Sequence, residues 1–323
     1  MADLQITAAD IVSMYGEYYI DEGQNEGNIH TRLMETAETL GAFTVVPTEN
    51  TVLRESNADF GEVLQGFQEQ FTPKGSVTFT PAPIPLYNMK VDMMIYPDKL
   101  KNKWLSFLTS NNLDRTTWPF IKWIIEVYVF KRLQKDIETQ AIYGGVYVPP
   151  TPGTPNNAKD TMNGVRKIIN DAITAGNITP IVTGLLSSDN VALVGQIESF
   201  MKAIPELYRF KEFDLNTGHA RVQNYKEGLR TKYNTYYQQI DANRAPLIDY
   251  TNCNLAGRFS MAGAGKIWGS VKENTILGVK GGSNQTIFEL EKQDRGVKLY
   301  TDFWMGAGFI DPGLVWTNDQ DLS

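Results

Sequence analysis

Paired carboxylates are the residues of this sequence that come nearest to a catalytic pattern. Glu289/Glu291 and Asp319/Asp321 have a spacing that could supply the acid and the base of a glycosidase-like site. Among 37 acidic residues, however, such pairs also arise by chance. Alternating charges on an exposed strand face and a solvated tail are the simpler interpretation of the two pairs.

A glycine-rich segment at 263–267 (GAGKI) resembles a phosphate-binding loop, in which backbone N–H groups surround phosphate oxygens and a hydroxyl group binds Mg²⁺. The motif requires a glycine where this sequence has Ser260, and a serine or threonine where it has Ile267. We therefore interpret the segment as a turn.

The few histidine and cysteine residues argue against metal and nucleophilic sites. Cys253 is the single cysteine, so no internal disulfide can form. His30 and His219 lie far apart in the sequence, which leaves too few ligands for a Cys/His zinc site and no basis for a Ser-His-Asp triad. We predict no catalytic residue, no cofactor and no metal site, and therefore that the protein is not an enzyme.

The net charge of −7 is concentrated at the N-terminus. Residues 1–31 contain six acidic and no basic residues, so the remaining chain has 31 acidic against 30 basic residues, a net charge of −1. Such a body lacks the basic surface with which nucleic-acid-binding proteins displace counterions from phosphates. It is still compatible with enclosing nucleic acid. The most apolar stretch, 123–130, contains Glu126 and is too short to span a membrane, and the start of the chain lacks a signal-peptide pattern.

The acidic N-terminal segment also contains three clustered tyrosines, Tyr15, Tyr18 and Tyr19. We interpret it either as an arm that needs a partner surface to bury these tyrosines or as a frayed terminus. A short helix is expected over 31–40.

From 43 to 97 the pattern is typical of strands and predicts an extended hairpin. Polar and apolar residues alternate over 75–80 and 89–95, and the intervening segment 56–74 is polar. Arms of about 15 residues would reach about 50 Å, which suits a hairpin that lies on a neighbouring molecule. A hairpin folded back on its own domain is the alternative. The residues that we expect at a subunit interface here are Phe60, Phe67, Phe71, Lys74 and Phe79.

The strongest pattern in the sequence predicts a long helix over about 119–143. Pro119 suits a first-turn position, no helix breaker follows until Gly144-Gly145, and the first half is apolar on nearly all sides. The proline-rich segment 146–157 then indicates a stiff hinge, although its P-x-x-P spacing could also bind an SH3-like partner.

The rest of the chain predicts an α+β unit followed by closing strands. Over about 158–250 we expect helices at 160–175, 189–203 and 220–236 and a short buried strand at 180–186. Over 251–323 the pattern favours strands joined by turns rich in Gly, Asn and Asp.

The order of these elements resembles the major capsid proteins of tailed bacteriophages, which have the Hong Kong 97-like capsid fold. The resemblance covers about 31–316 and is carried by the long helix and by four runs: FTPKGSVTFTPAPI (71–84), MKVDMMIYPDKLKNKW (89–104), CNLAGRFSMAGAGKIWGSVKENTILG (253–278) and VKLYTDFWMGAGF (297–309). It implies an α+β fold with an N-terminal arm (1–42), an extended E-loop hairpin (43–90, outgoing strand about 43–54), a peripheral domain with the spine helix (91–157), an axial domain (158–250) and closing peripheral strands (251–323).

The resemblance also implies a function. The chain would be a structural virion protein whose pentamers and hexamers form an icosahedral shell around double-stranded DNA, assembled in the host cytoplasm. Its partners would be other copies of itself, the portal, and scaffolding or decoration proteins, with no membrane. An encapsulin-like nanocompartment shell, a head-fibre or decoration protein, and an unrecognised carbohydrate-active enzyme remain alternatives.

Overall fold

The computed structural model describes residues 38–113, 119–234, 243–247, 250–280 and 288–322. The strands are, in chain order, β1 (Thr44–Thr48), β2 (Val52–Phe60), β3 (Val77–Pro85), β4 (Tyr87–Ile95), β5 (Phe213–Gly218), β6 (Arg244–Leu247), β7 (Tyr250–Arg258), β8 (Trp268–Ser270), β9 (Thr275–Lys280), β10 (Glu289–Gln293), β11 (Gly296–Phe309) and β12 (Val315–Thr317). The α-helices are α1 (Pro97–Asn111), α2 (Phe120–Trp123), α3 (Phe130–Asp136), α4 (Val165–Thr174), α5 (Asn190–Ala203), α6 (Glu206–Arg209) and α7 (His219–Tyr233).

The predicted long helix is present, but it is not a uniform α-helix. It consists of α2, a π-helical segment Ile124–Val129, α3 and a second π-helical segment Ile137–Ala141, which follow one another directly and are here called the long helix. Ile121 and Ile125 are fully buried, as the apolar first half of the pattern requires. The hydrophobic pattern identifies such a helix but does not specify whether its hydrogen bonds span four or five residues.

The main sheet lies against the long helix, and the largest hydrophobic core is between them. Its strand order is β1-β9-β11-β10, and β4 pairs with the other edge of β11. Strand β11 joins both ends of the sheet, since it pairs antiparallel with β4, β10 and β9 along its length. Helices α1 and α4 contribute residues to the same core, for example Trp104 and Ile169.

A second sheet, with the order β12-β8-β5-β7-β6, packs against α5 and α7 around a separate core. The unit expected to end at residue 250 therefore continues beyond it, because β7, β8 and β12 all come from the region predicted to close the first sheet. Strand β7 pairs in parallel with β5 and buries Cys253 and Leu255 in the second core. Strands are present over 251–323, as the pattern favours, but a local pattern does not show which sheet a strand joins.

The predicted buried strand over 180–186 is wrong. Only Ile181 forms an isolated bridge, to Asn318, and Val182 and Leu185 are exposed. The apolar run led to the prediction, yet these side chains project from a loop at the surface of the second unit.

The hairpin is shorter than expected, and its outgoing strand differs from the predicted one. Strand β1 lies in the main sheet, parallel to β9, and the outgoing arm is β2, which pairs antiparallel with β3. A turn follows β1, in which the N–H of Asn50 donates to the hydroxyl of Thr48. The predicted outgoing strand includes the first three residues of β2, but residues 56–60 are polar and the sequence pattern places them in the connecting segment. Arms of this length span about 30 Å.

Candidate assembly interface

The segment 61–76 joins β2 to β3 and presents large apolar side chains to solvent. Phe67 is 95% exposed and Phe71 is 90% exposed, and Val63 and Leu64 are exposed beside them. Exposed apolar clusters of this kind mark surfaces that bind a partner, since leaving them in water is unfavourable. We call this segment the tip loop.

Contacts within the tip loop hold it in a defined conformation. The Nζ of Lys74 donates to the carbonyl oxygen of Leu64 at 2.6 Å and forms an ion pair with Glu62 at 3.0 Å. The Nε2 of Gln65 donates to the Thr72 carbonyl oxygen at 2.8 Å. Gly75 has a φ of +98°, and a Cβ there would lie 2.8 Å from the Val63 side chain, so the glycine is required at this turn.

Prolines on β3 leave one edge of the hairpin unable to accept another strand. Pro81, Pro83 and Pro85 occupy alternate positions, and the Leu86 N–H donates to the Thr51 carbonyl at the base of the hairpin. In the register of the hairpin, the three prolines alternate with the residues whose N–H groups face β2, such as Leu86. Their nitrogens therefore face the open edge, and no hairpin hydrogen bond is lost. Over 81–85 the β3 edge thus lacks donors for edge-to-edge pairing, which favours contact through side chains there.

The base of the hairpin is fixed to the main sheet through close backbone contact. A Cβ at Gly306 would lie 2.1 Å from the Pro85 carbonyl oxygen, and one at Gly308 would lie 2.5 Å from Ile84. Ile84 and Leu86 form a small core there with β2 and β9. Because positions 306 and 308 of β11 are glycines, β3 can lie directly on the sheet.

A polar network ties the first described residues to the second unit. Nε2 of His219 lies 2.8 Å from a carboxylate oxygen of Glu38, whose other oxygen accepts from Asn243 at 2.9 Å. The Arg258 guanidinium donates to the Glu38 carbonyl oxygen at 2.7 Å and to the Asn216 side chain at 2.7 Å. The point where the N-terminal segment joins the body is therefore fixed to α7 and β7.

The adjacent residue Thr39 is fixed to the long helix. Its backbone N–H donates to the buried carboxylate of Glu138 at 2.9 Å, and its hydroxyl donates to the same oxygen. Burial raises the pKa of Glu138, while the two Thr39 hydrogen bonds act in the opposite direction. This carboxylate therefore holds Thr39 in place on the long helix.

The predicted interface residues fall into three groups. Tyr15, Tyr18 and Tyr19 lie outside the described residues. Phe60 ends β2, where its backbone pairs with Val77, and Phe79 on β3 is 66% exposed. The remaining predicted residues, Phe67, Phe71 and Lys74, belong to the tip loop, so the structure brings these three together.

Sequence analysis missed a second set of exposed apolar side chains on the second unit: Val182, Leu185, Leu207 and Phe210. Their local patterns are those of core elements, and no feature of the sequence marked them as exposed.

Of the carboxylates that could have supplied acid–base chemistry, Glu289 and Glu291 lie exposed on β10, as interpreted. Asp319 and Asp321 do not lie in a solvated tail, because they hold loops together. Asp319 accepts the N–H groups of Thr183 and Gly184 at 3.0 and 3.2 Å, and Asp321 accepts those of Gly265 and Lys266 at 2.7 and 3.1 Å. The 263–267 segment is a turn, as interpreted, and the Lys266 side chain is fully buried beneath it. Burial lowers the pKa of Lys266 to about 8.

Within the described part of the chain, no cluster of acidic, histidine or cysteine side chains could hold a metal ion. None of the helices described is both long and apolar enough to cross a bilayer. Cys253 is buried without a disulfide partner, and burial raises the pKa of its thiol to about 11.

Comparison of the structure with solved structures identifies the fold. A chain from the satellite phage P4 procapsid that includes the size determination protein is similar with a TM-score of 0.58 and 12% identity, covering 95% of this chain and 96% of that one. The capsid of the Myoviridae phage XM1 gives a TM-score of 0.52 at 10% identity, covering 87% and 90% of the two chains. The capsid of an empty GTA particle gives 0.51 at 13% identity, covering 88% and 89%.

No protein-family model matches the sequence, and no curated protein is similar to it. The similarity is therefore one of three-dimensional structure, extends over nearly the whole chain, and confirms the predicted α+β fold. The chain has the fold of phage capsid proteins.

Proposed function

We propose that the protein is a structural capsid subunit that assembles with other copies of itself into a closed shell. The observation that carries the proposal is a capsid fold over nearly the whole chain, combined with an ordered hairpin that exposes Phe67 and Phe71. A hairpin of this kind is marginally stable when isolated, and an apolar tip gains stability once a neighbour covers it.

We infer a correspondence between the described elements and the parts of a capsid subunit. We assign the β2–β3 hairpin with its tip loop as the E-loop, the long helix as the spine, the main sheet as the peripheral domain, and the second sheet with α5 and α7 as the axial domain. Residues 1–42 would be the arm, and the Glu38 and Thr39 contacts support a fixed exit point for it.

We further propose that the subunits form pentamers and hexamers of an icosahedral shell around double-stranded DNA. The net charge of −1 over residues 32–323 supports this, because a nearly neutral wall holds DNA without binding it tightly. Portal, scaffolding and decoration proteins would be the other partners, and the location would be the virion after assembly in the host cytoplasm.

The test is negative-stain electron microscopy with light scattering on the purified protein over a range of concentrations. We expect shells, tubes, or rings of five and six subunits that grow with concentration. Nucleic acid in the particles would support the virion assignment, whereas a single protein cargo would favour the nanocompartment alternative. A small closed dimer that does not change with concentration, with or without added scaffold, would contradict the proposal.

A further inference from the structure

A cleft runs along the open edge of β3, between the base of the hairpin and α4. Its volume is about 600 Å³, within the range of about 300 to 1,000 Å³ that is typical of small-molecule sites. It is lined by the β3 edge over 81–85, by the end of β11 with the turn that follows it (307–313), and by Ile168 and Asp171 of α4. We call it the β3–α4 cleft.

The β3 edge presents hydrogen-bond acceptors to this cleft, but no donors over 81–85. Pro81, Pro83 and Pro85 lie at positions that exchange no hydrogen bond with β2, so their carbonyl oxygens point away from β2. A Cβ at Gly306 would lie 2.1 Å from the Pro85 carbonyl oxygen, which places that oxygen toward β11. Alternate residues of a strand share this direction. No described residue donates a hydrogen bond to the carbonyl oxygen of Pro81 or Pro83.

The side chains that line the cleft carry negative charge. Among the described residues that line it are Asp171 and Asp311, but no lysine, arginine or histidine. Asp171 forms an ion pair with Lys167, one turn earlier on α4. Burial raises the pKa of Tyr87, which also lines the cleft, and the neighbouring Tyr147 and the charge of Asp171 act in the same direction. The cleft therefore favours a cation.

The spacing of the acceptors selects a linear cation. Carbonyl groups of alternate residues on one strand edge lie about 6.6 Å apart. Ligands of Ca²⁺ lie only about 2.3 to 2.6 Å from the ion, so one metal ion cannot contact the carbonyl oxygens of both Pro81 and Pro83. The two ammonium groups of an extended four-carbon diamine have nearly this separation, and an ammonium group is purely a donor. A β-strand is a poor occupant, since it needs donors as well as acceptors from the edge.

We propose that the β3–α4 cleft binds a linear alkyl diammonium or polyammonium ion, a ligand site that goes beyond the proposed function. The ammonium groups donate to the carbonyl oxygens of Pro81 and Pro83, and the carboxylate of Asp171 supplies compensating charge. The methylene chain packs against Phe309, which also lines the cleft. Such an ion bridges β3 and α4 and holds the base of the hairpin against the body of the subunit.

Isothermal titration calorimetry of the full-length protein with 1,4-diaminobutane tests the site. We expect saturable binding of one ion per subunit, about tenfold or more tighter than binding of n-butylamine, which carries a single charge. The uncharged isostere 1,4-butanediol should not bind, and magnesium chloride at equal ionic strength should not displace the diamine. Equal affinities for the diamine and n-butylamine, or no saturable binding, would overturn the inference.

Charge variants locate the site. We expect Asp171→Asn to weaken diamine binding about tenfold, and Lys167→Gln to strengthen it about threefold because Lys167 competes for the Asp171 carboxylate. Glu291→Gln is the matched control, since Glu291 also pairs with one lysine and is 59% exposed against 57% for Asp171, but lies on β10. All three variants should melt close to the wild-type temperature. Equal losses in Asp171→Asn and Glu291→Gln would mean that the diamine responds to net charge alone, and would overturn the inference.

The role of the β3 edge has its own test. Pro83→Ala adds an N–H group that faces the cleft, so we expect it to weaken diamine binding about threefold or more, whereas Pro150→Ala in an exposed loop should leave it unchanged. Unchanged binding in Pro83→Ala would overturn the assignment of the ammonium groups to this edge. Binding should also persist in assembled particles. Its loss on assembly would overturn the inference, because a basic side chain of a neighbouring copy would then fill the cleft.

Discussion

The long helix and the hairpin are built on opposite principles. The first half of the long helix buries apolar side chains on nearly every side, so that Ile125 is 0% exposed. The two strands of the hairpin are held to each other by backbone hydrogen bonds, and its largest apolar side chains are in water. The comparison indicates that the stability of the folded subunit comes from the helix and its core, whereas the hairpin, under the proposed function, would serve association between copies.

The largest expected effect comes from the buried helix. We expect Ile125→Asp to abolish folding, with a loss of more than about 4 kcal/mol, because an unpaired carboxylate would be placed in the core. Circular dichroism on heating should show no cooperative transition. A soluble variant that melts cooperatively near the wild-type temperature would mean that this face is not buried.

A smaller effect is expected where the hairpin meets the sheet. Gly306→Ala places a methyl group 2.1 Å from the Pro85 carbonyl oxygen, which should cost about 2 to 3 kcal/mol through displacement of β3. Gly195→Ala in α5 is the control, since its added methyl has no neighbour within 4 Å and should stabilise the helix by about 0.5 to 1 kcal/mol. Equal unfolding free energies for the two variants in urea would show that β3 does not lie on the sheet.

Lys266 should make stability depend on pH in the alkaline range. Burial lowers the pKa of its ammonium group from 10.5 to about 8; the negative charge of Asp321 opposes this shift, and the like charge of Arg166 adds to it. The unfolded chain then binds the proton more tightly than the folded protein does. The free energy of unfolding therefore rises as the pH increases from about 8 to 10.5.

Lys266→Met should therefore stabilise the protein at pH 7 by about 2 kcal/mol, because no ammonium group has to be buried. The difference between variant and wild type should shrink as the pH approaches 10.5, and denaturant titrations at several pH values measure it. A difference that stays constant with pH would show that Lys266 is not buried as an amine.

The smallest effect on stability is expected at the tip loop. The double variant Phe67→Ser/Phe71→Ser should melt within about 1 °C of wild type, because exposed side chains contribute little to the unfolding free energy. Phe130→Ser in the long helix is the buried counterpart and should lower the melting temperature strongly. A similar decrease in melting temperature for the tip-loop variant and for Phe130→Ser would contradict the distinction between the hairpin and the long helix.

The sequence predicted the parts of this molecule that follow strong hydrophobic patterns. The long helix, α5, α7 and the strand segments of β3, β4 and β11 were all recognisable, because their apolar residues recur with a helical or strand period. The predicted position of the outgoing strand was wrong. Strand β2 is formed by backbone pairing with β3, which leaves no periodic pattern in its polar side chains.

The candidate interface was predicted only in part. Exposed Phe67 and Phe71 could be expected from their polar surroundings, but the contacts that fix the tip loop could not. Lys74, for example, donates to the carbonyl oxygen of Leu64, ten residues earlier, in a segment without a helical or strand period. Such contacts cannot be deduced from local sequence.

The most direct test of the account is sedimentation velocity of the wild-type protein beside the Phe67→Ser/Phe71→Ser variant at equal, increasing concentrations. We predict that the wild type forms large, concentration-dependent assemblies, and that the variant stays a folded monomer or small oligomer under the same conditions. Equal assembly of the two proteins would contradict the claim that the exposed tip loop directs association between subunits.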